Sequence, residues 1–139
     1  MQKISPEFII IDDSKLDCFI AEKIIQNTGQ YKVQTFMQAG LVIDLIKNTL
    51  SFNDSRTIIL LDIQMPLMNG FEFAEEFEKF PSSIKNRFHI FMISSSVNDS
   101  DRNRINDFPS IIKLFCKPLT KSMVTEMTDH AIAYLSHSA

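Results

Sequence analysis

Ile58-Ile59-Leu60-Leu61-Asp62-Ile63-Gln64-Met65-Pro66-Leu67-Met68-Asn69-Gly70 is the stretch that decides the fold. An apolar, partly β-branched run stops at a single carboxylate, with Pro66 four residues on and Gly70 eight residues on. A run of this kind between turn residues predicts a buried strand. It delivers Asp62 to the strand's C-terminal end, the edge at which open α/β sheets hold their ligands. Three further apolar runs end the same way. Asp12-Asp13 follows Phe8-Ile9-Ile10-Ile11, Ser94 follows residues 88–93, and Lys117 follows residues 111–116.

Helical patterns fill the gaps between these runs. Ser14 is an N-cap candidate with Asp17 in the first turn, and Leu16, Phe19, Ile20 and Ile24 recur at helical spacing, which predicts a helix over about 14–27 stopping at Gly29. Residues 31–36 alternate polar and apolar, the pattern of a half-exposed edge strand. Val42, Leu45, Ile46, Thr49 and Leu50 mark one face of a second helix, and residues 51–56 form a polar loop. Phe71, Phe73, Ala74, Phe77 and Phe80 stripe a third helix, which Pro81 ends; the stripe is assigned to core packing. His89 interrupts the run 88–93 and is expected at a strand end or facing outward. Residues 97–107 are very polar and predict a short, weakly anchored helix beginning near Asp99 or Ser100. Val124, Met127, Ala131, Tyr134 and Leu135 define a last helical face. Five strands alternating with five helices call for a parallel sheet covered on both sides.

Composition narrows the function. At 139 residues the chain is expected to be a single domain, and the 22 residues after Lys117 suffice for one helix, not for an output domain. Net charge is −3 and spread along the chain, which argues against nucleic acid as a partner. No apolar run approaches the ~20 residues of a membrane span, and Met1-Gln2-Lys3-Ile4-Ser5-Pro6 lacks a signal-peptide core. A cytoplasmic protein with no membrane partner is expected. Cys18 and Cys116 sit in apolar segments and are expected to be reduced core thiols.

The chemistry follows if the strand ends meet at one edge. Asp12, Asp13 and Asp62 then cluster, and crowded carboxylates repel one another unless a cation is present. Oxygen-only ligands suit Mg²⁺, and no Cys/His set supports zinc. Lys117 brings an ammonium to the same place, and the Ser94 hydroxyl can donate one hydrogen bond to a phosphoryl oxygen. Aspartate is a known covalent nucleophile for phosphoryl groups, with catalysis resting on positioning and charge neutralisation. None of His89, His130 and His137 falls in a nucleophile motif, so a Ser–His–Asp hydrolase is poorly supported.

With these residues the chain resembles the receiver domain of two-component response regulators over about residues 7–136. The matching signature is Asp12-Asp13, then Asp62 in Asp-x-x-Met-Pro-x-Met-x-Gly, then Ser94, then Lys117-Pro118. The resemblance implies a flavodoxin-like α/β fold, doubly wound, with five parallel strands in the order 2-1-3-4-5 and five helices. It implies that Asp62 accepts a phosphoryl group from the phosphohistidine of a sensor histidine kinase or phosphotransfer protein. Asp13, Asp62 and the backbone carbonyl of Gln64 would ligate Mg²⁺ directly, Asp12 would act through water, and Lys117 and Ser94 would contact the acyl phosphate. A downstream protein target is implied, as is pairing of copies through the fourth helix, fifth strand and fifth helix.

Two departures from the family pattern stand out. Leu114 occupies the position where receivers usually carry Tyr or Phe, and strand alternation turns the neighbouring Phe115 to the other face. Ser94 stands for the usual Thr, with Ser95 as the alternative hydroxyl if the strand ends one residue later. Gln64 and Ser96 fill positions that influence phosphoryl lifetime in this family. The expectation is a stand-alone receiver that catalyses only its own phosphorylation and dephosphorylation. An aspartate-nucleophile phosphohydrolase would resemble Asp-x-Asp at the first strand, whereas this chain has Asp12-Asp13-Ser14. A phosphorylation-independent interaction module is the third possibility, kept open by Leu114.

Overall fold

The computed structural model describes residues 5–48 and 56–137. Its centre is a parallel sheet of five strands, β1 (Glu7–Ile11), β2 (Val33–Phe36), β3 (Thr57–Asp62), β4 (Phe88–Ser94) and β5 (Ile111–Cys116). They lie in the expected order, β2-β1-β3-β4-β5. Register brings their C-terminal ends level: Ile11 pairs with Leu61, Asp62 with Ile93, and Ser94 with Cys116. Asp12, Asp62, Ser94 and Lys117 therefore leave the sheet along one edge.

The helices are α1 (Lys15–Thr28), α2 (Ala39–Asn48), α3 (Gly70–Glu78), α4 (Ser82–Lys85), α5 (Asp99–Arg104) and α6 (Lys121–His137), with a 3₁₀ turn at Ile105–Asp107. Strand alternation sends Ile9, Ile11, Ile59, Leu61, Ile90 and Met92 toward α2 and α3. Phe8, Ile10, Ile58, Leu60, Phe91 and Ile93 go toward α1 and α6. The three central strands are covered on both faces, which is why their sequences run apolar without a polar alternate. Phe71, Phe73, Ala74 and Phe77 are buried on the α3 side, and Phe77 meets Phe88 edge-on at 5.8 Å between ring centroids. The aromatic stripe is core, each ring contributing about 1.5–3 kcal/mol of burial.

Several expectations need correction. Among the described residues there are six helices, not five, because Pro81 supplies an extended N-cap from which one extra turn, α4, starts; its Ile84 packs against the α3-side core. In α1, Leu16, Phe19 and Ile20 are exposed, and Cys18, Ala21 and Ile25 face the sheet. Helical spacing fixes the period but not the stripe, and here the small Cys18 and Ala21 take the inward positions with Ile25. In α2 the inward residues are Ala39, Val42, Ile43 and Ile46, and Leu45 is exposed. Thr49, Leu50 and residues 51–55 lie outside the described residues, as do residues 1–4 and the side chains of Tyr134 and Leu135. The edge strand is shorter than expected, starting at Val33.

His89 is neither at a strand end nor outward. It sits inside β4, 3% exposed, with its ring 5.7 Å from that of His130. Burial, then the neighbouring His130 and Arg56, push its pKa down to about 4, so the ring is held neutral. Cys116 is exposed at the end of the edge strand β5, while Cys18 is buried; both are free thiols. Leu114 and Phe115 do face opposite ways, Leu114 into the α3-side core and Phe115 into the α6-side core.

Candidate functional site

The site is assembled where β1, β3 and β5 end. At β1, the Asp12 carboxylate accepts a hydrogen bond from Ser14 N at 2.9 Å through Oδ1. Ser14 Oγ in turn accepts from Asp17 N at 3.2 Å and caps α1. Cys18 Sγ donates to the Asp12 carbonyl at 3.3 Å, and burial pushes that thiol's pKa up to about 11. The turn into α1 thereby fixes Asp12 in a buried position and leaves Asp13 exposed.

At β3, the chain leaves Asp62 through a tight loop. Met68 N donates to Pro66 O at 2.8 Å around Leu67, whose φ is 70°, a γ-turn geometry that a non-glycine residue adopts only at some cost. Asn69 and Glu72 then form a capping box at the start of α3, with reciprocal bonds of 2.9 and 3.1 Å. Gly70 N donates to Ile63 O at 2.9 Å. This packing explains the glycine: a Cβ there would lie 2.7 Å from the Asp62 carbonyl oxygen and 3.0 Å from Ile63 Cα. Backbone approach sets the requirement, since Gly70 has no positive φ.

At β5, Lys117 N donates to Ser94 O at 2.8 Å, and the following peptide to Pro118 is cis. The Lys117 ammonium reaches across the edge. Its Nζ lies 2.8 Å from Asp12 Oδ2, 2.8 Å from Asp17 Oδ2 and 3.8 Å from Asp62 Oδ2. Burial pulls the Lys117 pKa down, but the hydrogen bonds to Asp12 and Asp17 and the charge of Asp62 outweigh it and hold the pKa above its ordinary value. Asp62 moves up, to about 6: burial is the main cause, Asp12 and Asp13 add to it, and Lys117 and the Gln64 backbone hydrogen bond oppose it.

One carboxylate oxygen from each of Asp12, Asp13 and Asp62 lies within 4.8 Å of the others. An all-oxygen, all-carboxylate donor set fits a hard divalent cation of the Mg²⁺ type. Ser94 ends β4 and is buried, its Oγ accepting from Ser96 N at 3.2 Å and lying 3.3 Å from Ser96 O; Ser95 is exposed. The sequence marks Asp17 only as a first-turn helix residue. The available signal was positional: α1 begins at the site's own edge, and Cβ atoms of a first turn tilt back toward the helix N-terminus.

Residues 8–129 match the family model of the response regulator receiver domain. The structure of a response regulator receiver protein from Dyadobacter fermentans is 38% identical, with 92% of this chain and 98% of that chain covered and a TM-score of 0.82. The chain belongs to the response regulator receiver domain family. A two-component response regulator from Cytophaga hutchinsonii shares the fold at 21% identity and a TM-score of 0.82, over 94% of this chain and 99% of that one. Another from Legionella pneumophila does so at 20% identity and a TM-score of 0.77, over 92% and 98%. No curated protein matches the chain. Among the described residues, no helix is long and apolar enough to cross a membrane.

Proposed function

We propose that the chain is a Mg²⁺-dependent phosphoacceptor, phosphorylated on Asp62 by a histidine kinase or phosphotransfer protein, that signals by protein contact in the cytoplasm. The observation that carries this reading is the meeting of three carboxylates and the Lys117 ammonium at one sheet edge. In the reaction a carboxylate oxygen of Asp62 attacks phosphorus. The P–N bond of the donor phosphohistidine breaks, and the imidazole leaves with the bonding pair and takes up a proton. Asp13, Asp62 and the Gln64 carbonyl would hold Mg²⁺, with Asp12 acting through water. Asp12 suits that outer role because its two oxygens already accept from Ser14 N and Lys117 Nζ. When bound, the metal supplies neutralisation of the phosphoryl oxygens.

Lys117 compensates charge beside the acyl phosphate, and Ser94 donates its hydroxyl to a phosphoryl oxygen. The chain is then no enzyme with an external substrate. Output runs without an aromatic ring at position 114, and copies pair, if they pair, through α5, β5 and α6. The test is intact-protein mass after incubation with acetyl phosphate, with and without Mg²⁺, for the wild type and Asp62→Asn. A Mg²⁺-dependent, base-labile adduct lost in Asp62→Asn is expected. An adduct that survives in Asp62→Asn moves the acceptor elsewhere, and turnover of a generic phosphate ester makes the protein a phosphohydrolase instead.

A further inference from the structure

We propose that Asp17 is a positioning residue that holds the Lys117 ammonium away from Asp62 and so restrains phosphorylation. The proposal rests on Asp62 being the phosphoacceptor. Lys117 Nζ hydrogen-bonds Asp12 and Asp17 at 2.8 Å each, whereas Asp62 Oδ2 at 3.8 Å is beyond hydrogen-bonding distance. The ammonium has three donors, and two of them are spent on carboxylates that do not accept the phosphoryl group.

Asp17 stands apart from the other acids of the site. It is not in the trio of Asp12, Asp13 and Asp62 whose oxygens can share an ion. Its carboxylate is engaged by Lys117 Nζ instead. A first-turn acid that only complemented the helix dipole could point anywhere near the N-terminus. This one is aimed at Lys117, with its backbone N–H fixed by Ser14 Oγ at 3.2 Å. The pair is also placed to exchange: the Asp17 side chain is 39% exposed and that of Lys117 15%, so water can take over Asp17 when Lys117 leaves it.

A phosphoryl group arriving at Asp62 brings close to two negative charges. Lys117 then exchanges Asp17 for a phosphoryl oxygen, keeping Asp12 as its pivot. Removing the Asp17 charge acts twice in the same direction. It frees the ammonium, and it lowers the negative potential that an anionic donor meets. At a partly exposed site the two together correspond to roughly a three- to tenfold faster phosphorylation.

The experiment uses acetyl phosphate, whose P–O bond to the acetyl group breaks as the Asp62 P–O bond forms and acetate leaves. Rates are measured by mass for the wild type, Asp17→Asn and Asp17→Glu, all shown folded by thermal unfolding. The Lys117 Cε and Nζ NMR signals are recorded without Mg²⁺ or donor. Support consists of displaced Lys117 signals with a three- to tenfold faster reaction in Asp17→Asn, and a return toward the wild type in Asp17→Glu. A phosphorylated wild type with an Asp17→Asn rate equal or lower, or with Lys117 signals unmoved, overturns the restraint and leaves the phosphoacceptor reading standing. No adduct on any of the three overturns both.

Discussion

Replacing Gly70 with alanine tests the packing that places Asp62. The added Cβ would sit 2.7 Å from the Asp62 carbonyl oxygen, 3.0 Å from Ile63 Cα and 3.1 Å from Met92 Cε. The methionine methyl can swing aside at little cost, but the other two atoms are backbone of the segment that carries the Asp62 carboxylate. Two effects compete. Alanine is the better helix former by up to about 1 kcal/mol, and Gly70 is the first residue of α3. Overpacking against backbone costs about 1–3 kcal/mol.

The backbone clash wins, because relief requires α3 or the end of β3 to shift by several tenths of an ångström. The net expectation is a loss of about 1–2 kcal/mol, which for a chain of 139 residues is a melting point lower by about 3–7 °C. Moving the Asp62 backbone misaligns its carboxylate with Lys117, so phosphorylation by acetyl phosphate should slow roughly tenfold. Thermal unfolding by circular dichroism and adduct formation by mass measure the two effects. A Gly70→Ala protein that melts at or above the wild-type temperature and phosphorylates at the wild-type rate would refute the reasoning, since it would show that helix propensity outweighs the contact.

Other perturbations have equally definite signs. His89 is neutral in the folded protein down to about pH 4, while the unfolded chain protonates it near 6.5. Its contribution is therefore complete above about pH 6.5 and is lost as pH falls toward 4, by about 3 kcal/mol. Urea midpoints at pH 7.5 and 4.5 should fall further for the wild type than for His89→Leu, and equal falls would sink the idea. Asp62 has the opposite sign: its folded pKa of about 6 lies above the ordinary 3.8, so its ionisation costs stability as pH rises through 6. Asp62→Asn should gain about 2–3 kcal/mol at pH 7.5 in chelator and lose that advantage near pH 4, as denaturant titration would report. Asn69→Ala removes the bond from Glu72 N and half of the capping box, for an expected loss of about 1 kcal/mol; a midpoint unchanged from the wild type would count against the cap.

The sheet edge was legible because parallel strands buried on both faces leave an unbroken apolar run, and its end is marked by the first polar residue. Asp12, Asp62, Ser94 and Lys117 each stand at the end of such a run, and the register brings those ends to one edge. What periodicity does not encode is direction. Leu16, Phe19 and Ile20 and the inward Cys18, Ala21 and Ile25 all fall at helical spacing, so the period alone does not say which set faces the sheet. His89 escaped for a related reason: a polar residue in an apolar run gives no sign of a ring such as that of His130 waiting on α6. Asp17 escaped because its role depends on Lys117, 100 residues away, and no local pattern reports such a pair.

The two bonds of the Lys117 ammonium span 105 and 100 residues. During synthesis, Asp12, Asp13, Asp17 and Asp62 all leave the ribosome well before their counter-charge does. Pairing of β1 with β3 brings Asp12 and Asp62 to one edge, and without Lys117 that pairing would work against carboxylate repulsion. Only when β5 docks on β4 and carries Lys117 to the edge is that repulsion answered from within the chain. This edge therefore has its charge balance within the chain only with β5 in place. A divalent cation in the surroundings would matter most to the chain before its final strand has joined.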